Sequence, residues 1–454
     1  MTPDEIKVLT PIGMLGYGIP ENFLKMGADL GPDVIALDSG STDSGPQKLA
    51  LGDMTCSREA YERDLAMLLE VGHARKIPIY ISSAGGDGTD AHVDVFLDII
   101  RQISRDKGYR FRAAAIYSEI SKEVIADKLR SGHVSPCGPL EQLRESEIEA
   151  STTIVAQMGA EPFLKALELH GDLDILVSGR AYDPAPIAAL GLKAGFDPAL
   201  CWHMGKIMEC GALCAEPNGR AIFGTLRRDH FELEPINPAE RCTEASVAAH
   251  TLYEKSHPFL LPGPGGTLDL SQCRYEQITD RRVRVSGSKF LPSNPYTLKL
   301  EGAKKVGYRT IFIGGARDPI FIGAIDSVLE GVRDHVRKFF ADVPPDSYQL
   351  IFHVYGKNGV MGELEPYRGP DPHELCIIGE VAAATQSLAT AICGRARTTL
   401  LHAPYPGKMA TAGNLGLPFT PLEIPLGEVC KFNVYHLMEV DSPTELFPIK
   451  FVDI

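Results

Sequence analysis

Carboxylates, hydroxyls and glycines crowd the stretch Asp38-Ser39-Gly40-Ser41-Thr42-Asp43-Ser44-Gly45-Pro46, directly after an apolar run. That density could supply a general base, contact substrate hydroxyls or hold a divalent cation through oxygen ligands. Asp38 and Asp43 are candidate catalytic residues and Ser41 a candidate substrate contact; the competing reading is that Ser41 or Thr42 caps the next helix. In Ser82-Ser83-Ala84-Gly85-Gly86-Asp87-Gly88-Thr89 the small residues permit close backbone approach, and a helix beginning near Thr89 would offer a positive dipole end. Ser83, Gly85 and Gly86 are thus candidates for holding a carboxylate or phosphate, against the plainer reading of a surface turn. Ser178-Gly179-Arg180-Ala181-Tyr182-Asp183-Pro184 places an arginine just after a buried run. Its planar fork suits bidentate anion recognition, with Asp183 orienting it or acting itself. The rival is a structural Arg–Asp pair tying the loop.

Other groups carry weaker signals. Glu119 ends an apolar run and is a candidate acid/base. His203, Lys206 and Glu209 are three residues apart and share roughly one helix face, a workable proton-transfer set or a salt-bridged face with a packed histidine. Lys299 and Glu301 alternate on a strand and face one side, with Lys299 a candidate substrate contact. His250 and Glu254 sit at i, i+4, and Arg317-Asp318-Pro319 repeats the strand-then-Arg-Asp-Pro pattern. The turn Gly13-Met14-Leu15-Gly16-Tyr17-Gly18 could expose backbone N–H groups to an anion, but its spacing is not a dinucleotide fingerprint or a P-loop. No C-x-x-C, H-E-x-x-H or G-x-S-x-G string occurs, so no zinc site and no nucleophile elbow is expected.

The elements that must position these residues follow a pattern. Apolar runs at Ile6–Leu9, Val34–Leu37, Ile77–Ile81, Phe111–Ile116 and Ile175–Val177 each lead through a polar turn into a helical stretch, such as Glu59–Ala74, Ala91–Ser104 and Ser121–Leu129. That alternation predicts an α/β fold, a doubly wound and mainly parallel sheet with its site at the strands' carboxyl ends. A proline-broken middle, about 196–287, reads as an irregular insertion containing a short helix Val247–Glu254 and a loop Leu261–Gly266. Beyond it, strands at Thr310–Ile313, Gln349–Val354 and Leu375–Glu380 and helices at Pro319–Phe340 and Ala382–Leu401 predict a smaller C-terminal α+β domain. The expected division is 1–300 and 301–454.

Composition narrows the function classes. The 454-residue chain has 44% hydrophobic and 23% charged residues, which makes it globular, and a net charge of −14, which argues against a nucleic-acid partner. The basic run Arg281-Arg282-Val283-Arg284 alternates like a strand and reads as a solvated sheet face. The ten cysteines lack disulfide-like spacing, and no signal peptide or membrane-length apolar window is present, so a cytoplasmic protein with reduced thiols and no membrane contact is expected.

Several of these strings together resemble the acyclic terpene utilisation (AtuA-like) family: Gly13–Gly18, Asp38–Pro46, Ser82–Gly86, Gln157–Pro162, Ser178–Asp183, His203–Cys210, Ser246–Glu254 and Lys299–Ala303, with the likeness spanning about residues 5–320. The resemblance implies a place in catabolism that runs through acyl-CoA thioesters, and a small companion protein encoded separately or fused at the C-terminus. With the chain ending at Ile454, a separate companion is expected. The resemblance carries no catalytic residues. The residues themselves favour a cofactor-free acid/base enzyme, a hydratase, dehydratase or isomerase (a lyase or isomerase in class), acting on a small carboxylate or acyl-CoA as a homo-oligomer. The alternatives are a hydrolase or lyase assisted by a divalent cation at Asp38 and Asp43, and a non-catalytic ligand-binding subunit of a two-component enzyme.

Overall fold

The five apolar runs are strands, and they lie side by side. In a computed structural model that describes residues 3–253, 255, 257–367, 369 and 372–454, Glu5–Thr10, Val34–Asp38, Ile79–Ser82, Ile175–Ser178 and Arg112–Ile116 are neighbours in that order, all parallel. Alternate residues of each strand point to opposite faces and are buried on both. Val34, Ala36, Tyr80, Ala114 and Leu176 enter one core, while Ile35, Leu37, Ile79, Ile81, Ala113 and Val177 enter another. Helices Glu21–Asp29, Arg58–Arg75 and Asp90–Lys107 cover the second core; Lys122–Arg130, Glu161–Leu169, Ala185–Lys193 and Pro198–Met208 cover the first. Burial on both faces is why these strands read as continuous apolar runs.

Among the described residues the sheet has ten strands and is mixed, not mainly parallel. Strand Ile222–Arg227 pairs antiparallel with Glu5–Thr10, and His230–Pro235, Val283–Ser286 and Arg274–Gln277 continue outward from it. The middle expected to be irregular therefore contributes antiparallel strands to this sheet, after helix Pro198–Met208 at its start. Its strands are short and half-buried, as in Ile222–Arg227, where buried and half-buried residues alternate, so no long apolar run marks them. Leu261–Gly266, expected to be a loop, lies in a hairpin of Leu260–Gly263 with Gly266–Asp269, closed by Pro264 and a left-handed Gly265. The short helix expected at Val247–Glu254 is Glu244–Thr251; Glu254 lies outside the described residues. On the far edge, Ile449–Asp453 pairs antiparallel with Arg112–Ile116.

The chain forms two compact units, Met1–Lys304 with Phe432–Ile454, and Lys305–Lys431. The C-terminal stretch expected to close a second domain thus belongs to the first unit. There is no linker: the chain passes between units within strands Tyr296–Ala316 and Ile424–Val440. In the first unit Lys299–Ala303 pairs with Thr153–Gln157, and His436–Met438 with Val134–Pro136. The smaller unit pairs Tyr308–Ala316 with Leu375–Ala383, and that strand with Tyr348–Tyr355. Against them pack helices Ile325–Phe339 and Gln386–His402, around their own core of Phe312, Val332, Ile377 and Ile392. The helix expected over Pro319–Phe340 breaks at Ala324. Among the described residues no helix is long and apolar enough to cross a membrane.

Candidate functional site

Arg180 leaves strand Ile175–Ser178 through Gly179 and turns inward, 2% exposed. Its Nε donates to Glu301 Oε2 at 2.7 Å, and its Nη1 donates to Asp183 Oδ1 at 2.8 Å, to the Ala181 carbonyl at 2.7 Å and to Ser83 Oγ at 3.3 Å. Lys299 Nζ lies 2.7 Å from the other Glu301 oxygen and 4.2 Å from the centre of the Tyr435 ring. Burial opposes the charge on Glu301, but Arg180 and Lys299 outweigh it and hold the carboxyl at about 2. The arginine fork expected to clamp a substrate is thus largely committed to carboxylates of the chain itself.

Arg180, Asp183, Lys206, Glu209, Lys255 and Lys299 line one cavity of about 670 Å3, with Asp43 on its wall, and all belong to the larger unit. Lys206 and Glu209 are buried and ion-paired. Burial first, then the Asp183 charge, pushes Glu209 up to about 7 against the pull of Lys206. Its Oε2 has no hydrogen-bond partner among the described residues. Lys206 loses from burial but gains more from Glu209, and stays above the usual lysine range. Lys255 is pressed the other way, lowered by burial and then by Lys206. Four basic and three acidic side chains line this wall, with the Glu301 carboxylate in contact with Arg180 and Lys299 behind it, so the charges nearly balance.

Of the candidates read from sequence, the fold brings Asp43, Arg180, Asp183, Lys206, Glu209 and Lys299 to the cavity and leaves Asp38, Ser41, Ser83, Gly85, Gly86, Glu119 and His203 off its lining. Asp38 is buried and accepts from the Gly40 amide and Ser82 Oγ, both at 2.8 Å; burial and Asp183 raise it well above the usual carboxylate range. Ser41 caps the Thr42–Ser44 turn, accepting from the Asp43 amide. Ser83, left-handed at φ 51°, holds Arg180. Gly85 and Gly86 form no open cradle: a Cβ on Gly85 would strike the His92 ring, and one on Gly86 would strike Thr55 Oγ1. Glu119 lies at the surface and accepts from the Asp90 amide at the start of helix Asp90–Lys107.

His203 is a core residue. Its Nδ1 lies 2.7 Å from Ser288 Oγ, Phe231 and Tyr275 contact it edge-on, and burial drops it to about 3. The reason is helical geometry: steps of three residues slip by about 60° each, so positions 203 and 209 end about 120° apart. The glycine turn after Glu5–Thr10 is likewise occupied from within. The amides of Gly16, Gly18 and Ile19 donate to the buried Asp64 carboxylate at 2.9, 3.0 and 3.2 Å. In the smaller unit, Asp318 caps helix Pro319–Gly323 and Arg317 is exposed.

Lys255, Tyr182 and Tyr435 are cavity residues that the sequence reading assigned no role. Lys255 carried no motif signal, and Tyr435 lies on a strand far along the chain. A separate hollow of about 460 Å3 on the antiparallel side is walled by Arg281, Arg282, Glu232 and Glu234, whose charges pair at 2.7–3.4 Å. That ladder is the solvated sheet face expected of the basic run. Among the described residues no group of three or more His, Cys, Asp or Glu side chains is placed to hold a metal ion.

The family model for the acyclic terpene utilisation family protein AtuA matches residues 25–228 and 235–418. The chain belongs to the AtuA family. The match runs well past residue 320, beyond which the resemblance in the sequence is weaker. No curated protein and no solved structure matches the chain. Within this AtuA-family protein, the Arg180–Glu301–Lys299 and Lys206–Glu209 ion pairs are the charged framework of the cavity.

Proposed function

We propose that the protein is an enzyme of small-acid catabolism that moves a proton on a carboxylate or its thioester, as a hydratase, dehydratase or isomerase. Membership of the AtuA family supports a role in acyclic terpene utilisation. The reading treats the parallel strands as a doubly wound core, whose ligands bind beyond the strands' carboxyl ends. The observation that carries it is Glu209: a cavity carboxylate at about 7 with one oxygen unpartnered among the described residues. A base near neutrality is well matched to removing a proton beside a carbonyl. Lys206, kept charged beside it, would stabilise the negative charge that develops on the carbonyl oxygen.

The test is solvent exchange. Small carboxylates and acyl-CoAs are incubated with the protein in heavy water, and loss of the C–H signal beside the carbonyl is followed by NMR. The rate should rise as pH passes about 7, where Glu209 loses its proton, because only the carboxylate form can accept one. Glu209→Gln should abolish exchange while the ligand still raises the melting temperature. Exchange at the wild-type rate in that variant would remove Glu209 from the mechanism.

A further inference from the structure

The cavity holds three lysines in different states. Lys299 is tied to Glu301 and Lys206 to Glu209, so both are ammonium groups with a carboxylate at contact distance. Lys255 has no carboxylate in ion-pair contact among the described residues. Its Nζ lies 3.2 Å from the Tyr182 hydroxyl and 5.3 Å from the centre of that ring. Tyr182 is itself fixed, its backbone N–H donating to the Met158 carbonyl at 2.9 Å and its ring packed on Trp202 with centroids 5.8 Å apart. A partly buried lysine held by a neutral hydroxyl, with a charged lysine on the same cavity wall, is an arrangement that favours the uncharged amine.

We infer that Lys255 is an imine-forming lysine, whose amine condenses with the ketone or aldehyde carbonyl of a small oxo acid held in the cavity. The inference rests on the reading of this cavity as the site. The Nζ lone pair forms a bond to the carbonyl carbon, and the carbonyl π electrons move to oxygen, which takes up a proton. The carbon–oxygen bond then breaks. The oxygen leaves as water with both amine hydrogens accounted for, and a C=N bond remains. Nothing is oxidised or reduced. The Tyr182 hydroxyl, which burial keeps protonated, stands next to Nζ to relay a proton, and Glu209 is on the same wall to give or take one. Protonated, the C=N group withdraws electrons more strongly than the carbonyl it replaces, so it acidifies the neighbouring C–H for the base.

The opposite tuning of the two lysines supports this division of labour. Burial and Lys206 lower Lys255, whereas Glu209 holds Lys206 charged against burial. Environments that push like groups apart in pKa mark out their separate roles. Lys206 is kept as the cation, and Lys255 is the one whose environment favours the amine.

The full-length protein, incubated with pyruvate or acetoacetate and sodium cyanoborohydride, should acquire one reduced adduct, which peptide mapping places on Lys255. Lys255→Arg should remain unlabelled under the same conditions. An oxo acid that raises the melting temperature of the wild type yet leaves no adduct on Lys255 would overturn the imine while leaving the cavity as a binding site. No melting shift, with adducts scattered over surface lysines, would overturn both.

Discussion

Replacing Glu301 by Gln tests whether the buried charges around Arg180 hold the larger unit together. Glu301 is fully buried, and its carboxyl lies at about 2 against an ordinary 4.5 because Arg180 and Lys299 overcome the cost of burial. At about 1.4 kcal/mol per tenfold, that difference corresponds to about 3 kcal/mol of folding stability at neutral pH. It agrees with the roughly 3–5 kcal/mol expected when one partner is removed from a buried pair and the other charge is stranded. Because the folded value lies below the unfolded one, the contribution is complete above about pH 4.5 and is lost as pH falls toward 2. The chain's single tryptophan, Trp202, sits buried in this unit, so its fluorescence in urea reports the unfolding of this unit. Glu301→Gln should be about 3 kcal/mol less stable than wild type at neutral pH, and the gap should narrow by about 1 kcal/mol by about pH 3.5. A gap below about 1 kcal/mol at neutral pH, or one that does not change with acid, would refute the account of these charges.

His203→Gln should lower stability by about 1–3 kcal/mol at neutral pH by leaving Ser288 and Thr251 poorly paired, while ligand-induced melting shifts stay as in wild type. Its folded value of about 3 lies below the ordinary 6.5, so the unfolded chain takes up the proton first, and this group costs wild type, but not the variant, stability as pH falls below 6.5; urea titrations should show the gap closing there. Asp64→Ala removes the acceptor of three turn amides and should cost at least about 2 kcal/mol, with added phosphate failing to restore the melting temperature. Recovery by phosphate would instead make the turn an anion site.

What the sequence determined by itself was whatever depends on local pattern. Strands buried on both faces announce themselves as unbroken apolar runs, so Val34–Asp38 and Ile175–Ser178 were legible, as was the charged turn after each. So was the common face of Lys299 and Glu301, which needs only the two-residue period of a strand. Tertiary structure decided the rest. The antiparallel strands from Ile222 to Ser286 expose part of every side, so their pairing comes from partners distant in the chain. Two glycine-rich turns that looked open to a ligand are filled from within, by Asp64 in one case and by the His92 ring and Thr55 in the other, and Asp64 and Thr55 come from outside the turns they fill. Arg180 was visible at the end of its strand, but its commitment to Glu301 depends on a strand more than a hundred residues onward. Lys255 shows the limit most plainly. A lone lysine in a loop carries no signal in sequence, and its state is set by burial, by the Tyr182 hydroxyl and by the charge of Lys206, which only the folded chain brings together.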